Sequence, residues 1–394
     1  MNNNIKVLLW GVYSPWTINF IENFLLKNNY EVWMLNRGKK KEYDKYIQFY
    51  KQKGIHLIEV PEIVSEAYDR KEQGNFFTDW YSHFLLLKAV IKSGPYDLIN
   101  MQYVECFDLM DVVILRYVMK TRLILSYWGS DLLRVEKNKL SRMSIFVRCA
   151  DLVTFDNKDL KIVFKKTYKC TESLPAKIAF FGLPILDIIN EKCKKEEKEN
   201  LRRKWGVPED KKVIAIGYNG IPEQQHKKIL GVIGRLEDNY KEKIILLLQM
   251  SYGGTRGYRN SVIAMAKKVG FECIDIQHFL TNEEVAELRI ITDLYINAQV
   301  TDAFSGSICE NLFSDTVLIN ARWLRYKEFE MYNFKYLEFE NINEINFLIK
   351  KAFNQKIDVI GNKQLVWKLR SWEHCSSKWE EIYGKMCEKY RERK

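Results

Sequence analysis

The chain reads as an α/β protein made of two successive Rossmann-like halves. Short β-rich apolar runs alternate with longer amphipathic stretches, the alternation restarts after a charge-dense interruption near residue 190, and 394 residues are enough to bury two cores. The composition agrees: 47% hydrophobic and 29% charged residues with only 19 Gly and 7 Pro exclude a collagen-like or disordered chain.

In the first half, strands are expected over residues 7–10, 31–35, 55–60, 98–101, 123–127 and 152–155. Helical patterns separate them, which implies βαβ units and a parallel sheet. The pattern is clearest where Trp80, Phe84, Leu87 and Ile91 recur at three- and four-residue spacing and Gly94-Pro95 follows as a stop. Residues 191–204 mix both charge signs with Glu and Lys four apart, as a solvated helix does, and Trp205-Gly-Val-Pro208 follows as a loop. The expected domains are therefore residues 1–188 and 212–362, joined by a linker over 189–211. The second half repeats the grammar, with strands over 213–217, 244–249, 273–277, 294–297 and 317–319 and helices near 227–236, 262–269, 283–290 and 307–313. Residues 363–394 read as terminal helices whose stripe of Leu365, Leu369, Trp372, Trp379, Ile382, Tyr383 and Met386 is expected to pack on protein.

The 62 Lys and Arg against 51 Asp and Glu leave +11, which suits an anionic partner: a nucleotide, a nucleic acid or an acidic lipid headgroup. Eight cysteines contain no C-x-x-C pair, so neither a zinc site nor a thioredoxin-like motif is present, and reduced thiols in a cytosol are expected. The N-terminus runs directly into a strand at Ile5-Lys6-Val7, without the pattern of a signal peptide. The longest apolar runs, such as residues 244–248, fall far short of the roughly 20 residues of a membrane-spanning helix, so any membrane contact is expected to be peripheral.

Ligands of open α/β sheets bind beyond the carboxyl ends of the strands, and five loops there carry chemistry. The absence of G-x-G-x-x-G and of G-x-x-x-x-G-K-[ST] removes most support for nicotinamide and P-loop chemistry. Gly217-Tyr218-Asn219-Gly220 opens a loop in which glycines let backbone N–H groups approach phosphate, with a helix start and His226 or Lys227 to add charge; the same residues suit an ordinary Asn-Gly turn. Tyr252-Gly253-Gly254-Thr255-Arg256 is glycine-rich enough to wrap a charged or planar ligand. Asp302 and Glu310 stand eight apart across Ser305-Gly306-Ser307, where two carboxylates can accept sugar hydroxyls while the intervening N–H groups face a phosphate. In Trp128-Gly129-Ser130-Asp131, Asp131 fits either a general base or a helix cap. Gly11, Tyr13 and Trp16, in the loop after the first strand, are candidates for an acceptor pocket, although Pro15 equally suits a helix start. His56, His83 and His374 read as structural, and no cluster has metal-ligand spacing.

Together these positions resemble the GT-B glycosyltransferases. Tyr127-Trp-Gly-Ser-Asp131 is similar to the W/H-G-S-D loop of family four, Ala150-Asp-Leu-Val-Thr154 to its A-D-x-V-T strand, Asp302-x7-Glu310 to its E-x7-E motif, and Thr316-Val-Leu-Ile319 to its P-V-I strand. Asp302 replaces the first Glu, and the G-R…K-G phosphate grip gives way to Gly217-Tyr-Asn-Gly220…His226. With Tyr252-Gly-Gly254 and Tyr258, this variant is similar to the inverting fucosamine transferases of enterobacterial common antigen, which act on polyprenyl-linked acceptors; the stereochemistry stays open.

The resemblance implies two domains facing across a cleft and transfer of a sugar from a nucleoside diphosphate sugar to a glycan or polyprenyl-linked acceptor in bacterial surface polysaccharide synthesis. It implies no cofactor, no metal and no nucleic-acid partner, in the cytoplasm or on the inner face of the plasma membrane. Gly217, Asn219, Gly220, His226, Tyr252, Gly253, Arg256, Asp302, Ser305, Gly306, Ser307 and Glu310 would bind the donor, Glu310 through ribose hydroxyls. Gly11, Tyr13, Trp16, Trp128 and Ser130 would bind the acceptor, with Asp131 as the catalytic residue, a general base or a hydroxyl acceptor. The alternatives are a non-catalytic basic protein binding nucleotide or nucleic acid, and a GT-B epimerase or phosphorylase.

Overall fold

The computed structural model describes residues 5–36, 43–70 and 76–391. The chain forms two compact units, Met1–Gly182 with Cys375–Lys394, and Leu183–His374. The first unit holds a parallel sheet of β1 (Lys6–Trp10), β2 (Glu31–Asn36), β3 (His56–Glu59), β4 (Leu98–Gln102), β5 (Arg122–Tyr127), β6 (Leu152–Phe155) and β7 (Ala176–Ile178). Its strands are ordered β3-β2-β1-β4-β5-β6-β7. The second holds β8 (Lys212–Ile216), β9 (Ile244–Gln249), β10 (Glu272–Ile276), β11 (Leu294–Asn297), β12 (Val317–Ala321) and β13 (Leu337–Phe339), ordered β10-β9-β8-β11-β12-β13. Central strands such as Leu98–Gln102 and Ile244–Gln249 are buried at every position, as strands covered on both faces must be, and this makes them legible as unbroken apolar runs.

In each sheet the order reverses once, between β1 and β4 and between β8 and β11, and a crevice opens beyond the carboxyl ends at such a point. The edge strands β7 and β13, three residues each, were not expected from the sequence. They carry too few apolar residues to register as periodic.

Two expectations need correction. The boundary falls at Gly182, ahead of the supposed linker. Residues 189–211 belong to the second unit, whose helices Ile185–Lys195 and Lys198–Lys204 pack on Asn282–Ile291. Buried Glu287 accepts from Lys192 at 2.9 Å, Lys204 at 2.7 Å and Trp205 at 2.9 Å, so the charges that suggested a solvated helix are partly spent on an internal ion cluster. The helix Phe76–Ser93 buries Ser82, Leu86 and Val90, while Trp80, Tyr81 and Phe84 are 62%, 48% and 51% exposed. The periodic stripe read from the sequence is thus its outer face.

The aromatic stripe of the last helix, Trp372–Arg391, is core. Trp379 is buried and donates to the Phe180 carbonyl at 2.9 Å, and the Tyr383 hydroxyl accepts from Asn100 at 2.7 Å. Asn100 continues the chain of hydrogen bonds to Ser126 and Thr154 across β4, β5 and β6. Among the described residues no helix is long and apolar enough to cross a membrane.

Candidate functional site

In the second unit the loops after β8, β9 and β11 close on one another. Gly217 takes φ +63°, and a Cβ there would lie 2.6 Å from the Gln224 Oε1. Gln225, at φ +60°, caps the helix His226–Ile233. The backbones of the first two loops touch: Gly220 N–H donates to the Tyr252 carbonyl at 2.8 Å, and a Cβ on Gly254 would sit 1.8 Å from the Gly220 carbonyl oxygen. Only glycine permits that approach. Val300 N–H donates to the Glu223 carbonyl at 2.9 Å and Gln224 Nε2 to Gln299 Oε1 at 3.0 Å, tying the β8 and β11 loops across the point where strand order reverses.

The carboxylates sit at the heart of this arrangement. Asp302 Oδ2 accepts from Ser305 N–H at 2.9 Å and from the Tyr326 hydroxyl at 2.7 Å; burial pushes its carboxyl above the ordinary range against those hydrogen bonds. Glu310, one turn into the helix Gly306–Phe313, accepts from Arg289 Nε at 3.0 Å through Oε2. Arg289 is buried and also donates to Gln249 Oε1 at 2.8 Å. That fork fixes the Glu310 carboxylate and leaves its Oε1 without a partner among the described residues. The Tyr252 hydroxyl lies near Asn219, Glu310, Arg289 and Asp302; the residue is 44% exposed, but desolvation at its hydroxyl end pushes the phenol above its ordinary range.

The buried Gln224 Oε1, His226 Nε2, Ser251 Oγ and Ser305 Oγ make no hydrogen bond among the described residues. Each unmet group costs about 1–3 kcal/mol, a cost that a bound group able to reach it would relieve. Backbone strain points the same way: Gln225 and the buried Phe304, at φ +60° and +61°, are bulky residues in a region that favours glycine.

One donor-side expectation changes. His226 was expected to add positive charge, but burial lowers it to about 4, so near neutral pH it is an uncharged group whose Nδ1 lies 3.3 Å from the Tyr258 hydroxyl. Arg256 is exposed at the start of the helix Arg256–Lys268, and Arg259 donates to the Gly253 and Gly254 carbonyls and stiffens the loop. Arg289, Gln299 and Tyr326 were missed. Arg289 had a signal, since an arginine inside an apolar helical run needs a buried partner; the others had none.

In the first unit Asp131 is 2% exposed, and both oxygens are engaged. Oδ1 accepts from Gly129 N–H at 2.7 Å and Trp128 N–H at 3.0 Å, and Oδ2 accepts from Val104 N–H at 2.9 Å. Burial raises its carboxyl to about 6 even so. The geometry makes Asp131 the clasp that joins the loops after β4 and β5, with Gly129 at φ 137° allowing the turn. The Ser130 Oγ lies 3.3 Å from the Tyr103 hydroxyl. Trp128 packs its ring edge to face on Phe181 at 5.8 Å, and Trp16 meets the same ring at 6.3 Å. Gly11 abuts Gln102 and Thr17. Tyr13 turns the other way: its hydroxyl donates to the Leu35 carbonyl and its ring packs on Tyr43, Tyr46 and Tyr50, so it belongs to the packing under β2. Among the described residues no group of three or more His, Cys, Asp or Glu is placed to hold a metal ion.

No family model and no curated protein sequence matches this chain. Solved structures do. A glycosyltransferase from Rickettsia africae superposes with a TM-score of 0.75 at 14% identity, over 98% of this chain and 99% of its own. HepE of Anabaena, solved with UDP and glucose, gives 0.70 at 13% identity over 97% and 100%. Sucrose-phosphate synthase of Thermosynechococcus elongatus gives 0.70 at 10% identity over 97% and 99%. The fold is therefore that of the GT-B glycosyltransferases across nearly the whole chain.

Proposed function

We propose that this protein is a glycosyltransferase that takes a sugar from a nucleoside diphosphate sugar held by the second unit and passes it to an acceptor held by the first. The observation that carries the reading is Glu310: a carboxylate clamped by buried Arg289 at the reversal point of the second sheet, with one oxygen open. An open carboxylate oxygen in that place suits a ribose hydroxyl pair. The first-turn N–H groups of Gly306–Phe313 and the loop from Gly217 to Gln225 offer hydrogen bonds to the diphosphate without a metal ion. With His226 neutral, that recognition leans on dipoles and N–H donors. UDP is the first nucleotide to try, because HepE was solved with it.

The acceptor is proposed to be a glycan or polyprenyl-linked sugar of a bacterial surface polysaccharide. Support for work at a membrane comes from charge and exposure. The first unit carries 33 Lys and Arg against 24 Asp and Glu, net +9, and the second 29 against 27, net +2. Trp80, Tyr81 and Phe84 stand on the first unit's surface, with Lys88 and Lys92 exposed on the same helix.

The test is thermal stabilisation by UDP, GDP, ADP and TDP, followed by release of nucleoside diphosphate from the matching sugar donor. Stabilisation by one of them, retained when the bare nucleoside fails, is expected. A melting temperature unmoved by every nucleotide at millimolar concentration overturns the reading.

A further inference from the structure

Between the last two strands of the second sheet the chain borders a polar cavity that the donor reading leaves unused. β12 ends at Ala321 and pairs with β13, Ala321 against Phe339. The connection between them, through the helix Lys327–Tyr332, surrounds a space of about 300 Å³ lined by Arg322, Arg325, Tyr326, Glu330, Tyr336 and Glu338. That volume is at the small end of those that hold ligands. Neighbouring strands lie about 4.8 Å apart, so the cavity stands about 10 Å along the sheet from the point where strand order reverses. Tyr326 is the wall between the two places: its hydroxyl is engaged by Asp302 at 2.7 Å and by Asn297 at 3.2 Å, which leaves its ring to the cavity.

The lining is charged but balanced, two guanidinium groups against two carboxylates, and its charges are unevenly used. Arg322 pairs with Glu338 at 3.5 Å and with Glu340, and the Tyr336 hydroxyl lies 3.5 Å from Glu338. Arg325 makes no hydrogen bond or ion pair among the described residues. Glu330 has Lys327 at 3.7 Å, a loose pair within one helical turn. One cation and one anion are therefore left to face the space. A plain anion would gain Arg325 but meet Glu330 and Glu338, and a plain cation would be opposed by Arg322 and Arg325. An apolar group would strip water from four charges. A zwitterion satisfies both signs: its anionic head takes the Arg325 fork and its ammonium donates to Glu330. The rings of Tyr326 and Tyr336 suit the same ammonium.

We propose that this cavity binds a small zwitterion with one anionic head and one ammonium, an α-amino acid being the simplest, and that Arg325 and Glu330 are its two charged contacts. The site is separate from the nucleotide site and does not depend on the transferase reading. Saturation-transfer NMR on the full chain tests it with alanine and phosphoethanolamine against propionate, ethylamine and inorganic phosphate, which carry the same kinds of charge singly. At least one zwitterion should show transfer at millimolar concentration. Alanine alone would point to a free amino acid, and phosphoethanolamine alone to a lipid headgroup. The singly charged compounds should bind at least about tenfold more weakly, and Arg325→Gln and Glu330→Gln should each weaken the zwitterion about tenfold. Both side chains are exposed, so the melting temperature and its rise with UDP should be unchanged in the variants. Absence of transfer to both zwitterions overturns the proposal. So does propionate or phosphate binding as tightly as either, which would make this a plain anion site, or wild-type binding by either variant. Zwitterion binding without any nucleotide effect would retain this site and remove the transferase reading, and the reverse result would do the opposite.

Discussion

Glu310 owes its position to one ion pair, and this makes it separable from the fold. Glu310→Gln keeps the shape and can still meet Arg289 through its amide oxygen, but loses the charged acceptor; UDP affinity should fall by about 1.5–3 kcal/mol in calorimetric titration. Unchanged affinity would remove Glu310 from the donor site. His226 sets a pH dependence whose sign follows from burial. Its pKa is about 4 in the fold against 6.5 when unfolded, so between those values the unfolded chain takes up a proton that the native state refuses. The contribution of His226 is therefore full above pH 6.5 and is lost as pH falls toward 4, by up to about 3 kcal/mol, while Asp131, raised to about 6, works in the opposite direction over the same window. The melting temperature of His226→Gln should accordingly rise relative to that of the wild type as pH falls across that window. Asp131 separates two readings. As a clasp, Asp131→Asn turns an amide N–H₂ toward loop donors and should lower stability by about 1–3 kcal/mol with UDP binding intact. A loss of about 100-fold in transfer at an unchanged melting temperature would instead restore it as a base.

At the level of elements, the sequence located most strands because those of a doubly covered parallel sheet are apolar throughout, and its glycines and acids singled out the loops after β8, β9 and β11, which close on one another. What it concealed follows from physics as well. The ion pair of Arg289 with Glu310 joins residues on separate helices, and the tyrosines converging on Asp302 come from separate strands and loops. No local spacing encodes either. Periodicity finds an apolar stripe and is silent about what the stripe faces, so Trp80 and Phe84 marked a helix without telling that they lie on its outer side. Their exposure gives the helix Phe76–Ser93 a surface role to test. Trp80→Ser with Phe84→Ser should abolish sedimentation with vesicles rich in anionic lipid at low salt and leave the melting temperature within a degree or two. Persisting sedimentation would show that charge alone, or another face, does the docking.

For the whole molecule, the division into two units makes their stabilities separable. Tyr383→Phe leaves the Asn100 amide unmet in the core of the first unit and should lower that unit's transition by about 1–3 kcal/mol in calorimetry, while UDP still protects the other. A single transition shifted as a whole would show that the two melt together. The path of the chain adds a consequence in time. The second unit is one uninterrupted stretch, 183–374, whose ends meet where Leu183 N–H donates to the Arg370 carbonyl at 2.7 Å. The first unit needs its opening residues and its last helix, with Trp379 and Tyr383, in the same core. On a ribosome delivering about 5–20 residues per second, the half that starts first must finish last, waiting through the whole insertion for its final helix. Once folded, the insertion holds its two ends together and shortens the loop that the late helix must close. A released chain truncated before Trp372 should accordingly show a protease-resistant second unit beside a first unit that is still cleaved.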